Sequence, residues 1–496
     1  MVEVEVRREE LRQKTLSSLL WKVLERGGVA AGGLLVQVVM ARLLSPEDFG
    51  ALAIMLVFVL LGTAFAVSGF NTALVQVKEL QEDDYDTVFW ISVTVGTLLW
   101  GALIIAAPWI AGAFSLPTMT NPLRVMGALF VLNSVYAVLT ADVQRHLAFK
   151  KVFKASVVSL VVASTVGIGA AVWGAGLWAL VIHQLTNVAV NSGMLFLQTA
   201  WRPHLRFSKD RARVLFGFSW KLLMSALLDV SYQSLSDVII GRQFSAASLG
   251  VVSQGKKYPG AVAQVLDGAI QPVMLSAVAR VQDDLLTVKA LVRRALKTST
   301  LVVVPLMTLL AVTADPLIRW GLGEKWAGAV IFFQMYCFIY ALWPVHTTNL
   351  SALNGMGRSD LFLKLEVVKK IVGLAVLCVT VFGFHSPVAI VAGFMVTGVT
   401  STMINAFPNR TVIGYRYAEQ VRDMAPVWGL SLVSGAVSWA VMTSMAGPLL
   451  GQVVVGFTVF GVLFLGMGLA LRCEALTYVT DRVLVFLQAR GLLERA

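Results

Sequence analysis

Arg42-Leu-Leu-Ser45-Pro-Glu-Asp-Phe-Gly50 follows the first apolar stretch of the chain, and Arg242-Gln-Phe-Ser245-Ala-Ala-Ser-Leu-Gly250 follows a later one. Arg, Ser and Gly keep their spacing in both copies. Each copy then runs through a long apolar segment into a pair of acids, Gln81-Glu-Asp83-Asp84 and Val281-Gln-Asp283-Asp284. In a membrane chain, duplication of this kind marks two lobes able to rock about a central site, the plan of secondary transporters. Within each copy, Ser45 or Ser245 is placed to cap the next helix, and Gly50 or Gly250 to let that helix pack closely.

The composition agrees with a membrane chain. The sequence is 57% hydrophobic and 14% charged, with a mean hydropathy of +0.77, where a soluble domain carries roughly a quarter charged residues. Long β-branched alternation is absent, which argues against an outer-membrane barrel. Cys337, Cys378 and Cys473 have no metal-ligand spacing and form no disulfide framework, so they read as small buried hydrophobes. Met1 to Thr15 is mixed in charge, and the first apolar stretch reads as a retained span rather than a signal peptide.

Apolar runs of roughly twenty residues give about fourteen spans. Their limits are 18–43, 49–70, 88–113, 122–141, 155–173, 176–199, 215–241, 246–280, 295–313, 328–353, 365–384, 388–406, 425–445 and 449–471. With the N-terminus in the cytoplasm, the basic residues collect in alternate loops. Lys150, Lys151 and Lys154, then Arg202 to Arg213, Lys289 to Lys297, Arg358 with Lys364, and Arg410 to Arg422 all fall inside. The net charge of +12 therefore records orientation and does not point to nucleic acid; both termini are expected in the cytoplasm. One inside loop, Asn71 to Asp86, is acidic, and acids contribute little to topology. The outside loops are all short, leaving no room for an external catalytic domain.

Six spans separate the two motif copies, so the copies share one orientation in the membrane, a parallel repeat. The expectation is an all-α integral membrane protein. It has an N-lobe over 1–200, a basic cytoplasmic linker over 201–214 and a C-lobe over 215–406. Two further helices occupy 425–471, and a cytoplasmic tail 472–496.

Ala41 to Gly50, Arg145-His-Leu-Ala-Phe-Lys150, Gly174-Ala-Gly-Leu-Trp-Ala-Leu180, Asp237-Val-Ile-Ile-Gly-Arg242 and Asn354-Gly-Met-Gly-Arg358 together resemble the polysaccharide transporter, or O-antigen flippase-like, family. That family belongs to the multidrug/oligosaccharidyl-lipid/polysaccharide exporter superfamily. The resemblance spans most of the chain. It implies two six-helix lobes, alternating access, a lipid-linked oligosaccharide carried on undecaprenyl pyrophosphate, and residence in the bacterial cytoplasmic membrane. Polysaccharide polymerase machinery would be a neighbour. None of these motifs names the sugar.

Charge inside a span is costly, roughly 2.5–3.5 kcal/mol on insertion scales, and so marks a pathway. On helix 8, Lys257, Gln264 and Gln271 lie at heptad spacing with Lys256 and Asp267 to one side; on helix 7, Ser225, Asp229, Tyr232, Gln233, Ser236 and Asp237 share a broad face. A substrate pyrophosphate needs cations, and Arg26, Lys256 and Lys257 are the candidates, with Gln264 and Gln271 as further substrate-binding residues of the same stripe. Asp229, Asp237 and Asp267 are candidates for coupling to protons or sodium. The bland alternatives are snorkelling for Arg26, Lys256 and Lys257, a helix-end ion pair for Asp237 with Arg242, and interhelical hydrogen bonding for the ladder His183, Asn187 and Asn191. Gly27-Gly28 and Gly32-Gly33 lack the Lys-Ser/Thr of a phosphate loop and read as packing glycines.

No nucleotide motif, zinc spacing or catalytic triad is present in the sequence, so neither an enzyme nor a cofactor is expected, and energy would come from an ion gradient or from downhill movement driven by consumption on the far side. The competing functions are a drug/cation antiporter of the same superfamily, which would favour acidic and aromatic residues over Lys and Arg, and a membrane glycosyltransferase or polymerase.

Overall fold

The computed structural model describes residues 25–67, 74, 82–474, 476 and 477. Among them every regular element is helical. The helices are α1 (Ala30–Leu43), α2 (Pro46–Val67), α3 (Glu82–Ala113), α4 (Ala128–Arg145), α5 (Phe149–Val172), α6 (Leu177–Gln198) and α7 (Lys209–Gln243). They continue as α8 (Ala246–Arg280), α9 (Leu285–Val312), α10 (Ala329–Gly355, interrupted at Leu342), α11 (Ser359–Phe384), α12 (Pro387–Ala406), α13 (Tyr417–Ser444) and α14 (Leu449–Ala470). Short helical turns occupy parts of the connections. Twelve helices among the described residues are long and apolar enough to cross a membrane. A thirteenth candidate is α7, bent by 50° between Lys209–Gly217 and Ser219–Gln243. The shorter apolar helix Gly27–Leu43 is the described part of the expected first span, whose residues 18–24 lie outside the description.

Several helices begin earlier than hydropathy suggests. α9 starts at Leu285 and α13 at Tyr417, ahead of the expected 295 and 425. Their first turns carry Lys289, Arg293, Glu419 and Arg422, which are good helix formers but lower an apolar average. The break in α10 falls at Leu342, two residues before Pro344, where proline withholds a backbone donor.

The chain forms two compact units, residues 1–253 and 254–496. In the first, α2 packs on α4 and α7, α3 on α4, and α5 on α6. The two motif copies meet here. After α1 ends at an extended Leu44, Ser45 and Asp48 form a reciprocal cap: the Asp48 N–H donates to Ser45 Oγ at 3.2 Å and the Ser45 N–H to Asp48 Oδ2 at 3.0 Å. In the second copy the Ser248 N–H donates to Ser245 Oγ at 3.0 Å. The first turns of α2 and α8 then touch backbone to backbone. A Cβ on Gly50 would sit 1.7 Å from the Ala246 carbonyl oxygen, and one on Gly250 1.9 Å from that of Pro46. Only glycine permits so close an approach.

In the second unit, α9 packs on α10 and α13, α11 on α12, and α13 on α14. The core includes Val288, Val292, Leu296, Val345, Ala352 and Tyr415. Beside it lies a fully buried amide network. Asn349 Nδ2 donates to Gln420 Oε1 at 2.9 Å, and the Gln420 and Asn409 amides both donate to Asn349 Oδ1, at 3.1 and 2.5 Å. These bonds tie α10 to α13, so the thirteenth helix is fixed into the unit by polar groups that have no access to water.

Candidate translocation site

The heptad positions of α8 share one level of exposure. Lys257, Gln264 and Gln271 are all exposed along it, with Lys256 and Asp267 half-buried. Pro259 and Pro272 lie inside this helix. Each lacks the N–H that would reach the carbonyl four residues back, at Gly255 and Gly268, so backbone acceptors are freed between the polar side chains. Asp267 is engaged: Thr347 of α10 donates its hydroxyl to Asp267 Oδ1. Aromatic rings of α10 adjoin α8. Tyr340 stacks on Tyr336 at 6.1 Å and meets the Trp343 edge at 4.8 Å, and Gly260 leaves space for the Tyr340 hydroxyl.

On α7, Gln233 Nε2 donates to Asp229 Oδ2 at 2.7 Å, and the Ser236 hydroxyl lies 3.5 Å from Asp237 Oδ1. Both carboxylates are half-buried. Among the described residues Asp237 and Arg242 form no ion pair. Asp229 and Asp237 sit on α7 in the first unit, and Asp267 on the part of α8 that lies in the second. Arg26 lies in the single turn Glu25–Val29, and its side chain is outside the described residues. Of the His183 ladder, His183 itself packs closely on α5: a Cβ on Gly167 would lie 2.8 Å from the His183 Cβ.

Polar groups that sequence reading passed over gather on α10, α11 and α12. His346 Nδ1 lies 2.9 Å from Asn405 Nδ2, and Lys369 donates to Glu366 in an ion pair one turn away on α11. The signal was available, since Glu366 and Lys369 open an apolar run at helical spacing. Among the described residues no group of three or more His, Cys, Asp or Glu could hold a metal ion.

The acidic stretch at the start of α3 also has a partner. Arg211, at the start of α7, donates from Nε and Nη2 to the two oxygens of fully buried Asp84, each at 2.5 Å. The His204 N–H donates to Asp86 Oδ1 at 3.1 Å, the Ser208 N–H to Thr87 Oγ1 at 3.2 Å, and Trp90 Nε1 to the His204 carbonyl at 2.8 Å. Arg206 lies 3.6 Å from Asp83. Trp201 packs on Tyr85 and Phe89 at 5.9 and 5.6 Å. The basic linker is thus seated, residue by residue, along the acidic start of α3.

A family model described as polysaccharide biosynthesis protein matches residues 39–331. The lipopolysaccharide biosynthesis protein WzxC of Escherichia coli (strain K12) is 23% identical over 449 residues, 88% of this chain and 90% of that protein. The succinoglycan biosynthesis transport protein ExoT of Rhizobium meliloti (strain 1021) is 23% identical over 339 residues, 68% of each. Among solved structures, the lipid II flippase MurJ in an inward closed conformation superposes with a TM-score of 0.73 at 12% identity, covering 91% of this chain and 99% of that one. The fold is therefore that of a multi-pass membrane transporter, as expected from the resemblance.

Proposed function

This chain belongs to the polysaccharide biosynthesis protein family, and we propose that it moves a lipid-linked oligosaccharide across the bacterial cytoplasmic membrane by alternating access. The observation that carries the reading is the exposed stripe of Lys257, Gln264 and Gln271 on a helix otherwise suited to lipid. Two exposed amides offer donors and acceptors to sugar hydroxyls. Lys257, with Lys256 beside it, offers charge to a pyrophosphate. Similarity to proteins named for lipopolysaccharide biosynthesis and succinoglycan transport supports a sugar substrate.

The lobes over 1–200 and 215–406, the cytoplasmic placement of both termini, and contact with polymerase machinery are parts of the same proposal. Coupling to protons or sodium is assigned to Asp229, Asp237 and Asp267. Asp267 accepts a hydrogen bond from Thr347 on another helix, so an ion bound at this carboxylate would compete with a contact between helices.

The double substitution Lys256→Ala with Lys257→Ala tests the substrate stripe. Polysaccharide export should fall at least tenfold at unchanged expression, and unchanged export would remove the stripe from the pathway. Asp229→Asn and Asp267→Asn test coupling. Transport that keeps its full pH and sodium dependence in both would remove these carboxylates from that role. An antiporter of the same fold would retain drug/cation exchange in the lysine double variant, because cations gain nothing from Lys256 or Lys257.

A further inference from the structure

The span Pro387–Val412, which is α12 with the short turn that follows it, changes character along one face. Val396, Met403 and Phe407 are all exposed. Their spacings of seven and four residues place them in one stripe, and Arg410 continues it three residues further on. The stripe thus passes from apolar to cationic at the end of the span.

A cleft of about 400 Å³ opens at that change, lined by Met403, Phe407, Arg410, Arg416 and Tyr417. The lining holds two arginines and no acid. Both arginines are exposed, and neither forms an ion pair among the described residues. The acids that follow in the chain are already engaged: Glu419 reaches Lys289 at 3.1 Å and Asp423 holds Arg293 at 2.6 Å. An adjoining cleft of about 630 Å³ shares Phe407 and carries Arg358, which Asp360 meets at 3.2 Å, so Arg358 adds no free charge. The walls of the first cleft are tied together, since the Tyr417 and Thr402 hydroxyls lie 2.9 Å apart and join the start of α13 to α12.

Two like charges lining one cleft repel. A phosphate has oxygens for both guanidinium forks and relieves that repulsion. By the charge alternation the connection between α12 and α13 faces the cytoplasm, where the leaflet carries anionic lipid. Free phosphate would use the arginines alone, whereas a phosphate borne on an amphiphile would use the apolar stripe as well.

We infer that this cleft binds the phosphate of an anionic membrane phospholipid, with an acyl chain along Phe407, Met403 and Val396. The inference goes beyond the translocation reading, and its test reads no transport, so either can fail alone. Bound there, the lipid would join α12 to the start of α13 through its phosphate.

The test is native mass spectrometry of the full chain in detergent, titrated with phosphatidylglycerol, phosphatidylcholine or inorganic phosphate. Phosphatidylglycerol should be retained about tenfold more strongly than either of the others. Arg410→Gln with Arg416→Gln should weaken its retention about tenfold, with little change in the thermal midpoint measured without lipid, because no ion pair is lost. A second measurement needs no variant: phosphatidylglycerol carrying a photoreactive head group should label the wild-type chain within residues 403–417. Equal retention of phosphatidylcholine, inorganic phosphate bound as tightly as the lipid, full retention by the glutamine variant, or label absent from 403–417 would each overturn the proposal.

Discussion

Asp83-Asp84 and Asp283-Asp284 occupy corresponding places in the two copies of the repeat, each before or at the start of the helix that follows the motif pair. Asp84 is fully buried and held by both arms of Arg211. Asp284 lies in solvent and caps α9, accepting from the Leu286 and Thr287 N–H groups at 3.1 Å and from the Thr287 hydroxyl at 2.6 Å. The first copy fastens the linker to α3, while the second only starts a helix. The difference lies in what the chain delivers nearby: a basic linker reaches Asp84, and no cation is paired with Asp284 among the described residues. Duplication thus conserves architecture while the chemistry of each half is set by non-repeated segments.

Substitutions can break this comparison at graded strength. Asp84→Ala should be the most damaging, since it leaves Arg211 beside an empty buried site; loss of one partner of a buried pair costs about 3–5 kcal/mol. The double variant Asp84→Leu with Arg211→Met should be milder than either single change, as seen in thermal unfolding in detergent. Additive losses would mean that the pair is not coupled.

Next come the glycines at the motif crossing. Gly50→Ala and Gly250→Ala force backbone atoms apart, and overpacking of this kind costs about 1–3 kcal/mol. Gly33→Ala, with nothing within 4 Å of the added carbon, should instead be neutral or stabilise by up to about 1 kcal/mol. Equal effects at Gly50 and Gly33 would deny the crossing.

The caps should have smaller effects. Ser245→Ala removes one cap and should cost about 1 kcal/mol, less than Ser45→Ala, because the Ser45 hydroxyl also donates to the charged Asp48 carboxylate at 2.7 Å, whereas that of Ser245 donates to the neutral Ser248 hydroxyl at 2.9 Å.

The smallest effect belongs to Asp284→Asn, and it depends on pH. The Thr287 hydrogen bonds hold the Asp284 carboxyl below its ordinary value of 3.8. A carboxylate whose folded-state pKa is depressed stabilises fully above the unfolded value and loses that contribution as pH falls through the folded one. The difference in thermal midpoint between wild type and variant should therefore be constant above about pH 5 and shrink below pH 4. A difference that does not shrink as the pH falls from about 5 to about 3 would contradict the cap assignment.

Much of the fold was legible because apolar length is a local property. The span positions and the Ser45 and Ser245 caps are written in short stretches of sequence. The early starts of α9 and α13 were not read, although Asp284 three residues before Thr287 is a capping signal that hydropathy ignores. The candidate site was legible in part. The Lys257, Gln264 and Gln271 stripe follows from heptad spacing, whereas the pairing of Asp84 with Arg211, or of His346 with Asn405, joins residues far apart in the chain and has no local signature. The acidic loop read as an exception to charge alternation was half of an ion pair whose other half was assigned to the linker.

The central claim, translocation of lipid-linked oligosaccharide, is tested most directly in cells that make this chain. Depletion of the protein should cause lipid-linked oligosaccharide to accumulate in a pool that a membrane-impermeant sugar label cannot reach, while its synthesis continues. Restoring the wild-type chain, but not the Lys256→Ala with Lys257→Ala variant, should return that pool to the label. An oligosaccharide pool that labels equally fast with and without the protein would contradict the account.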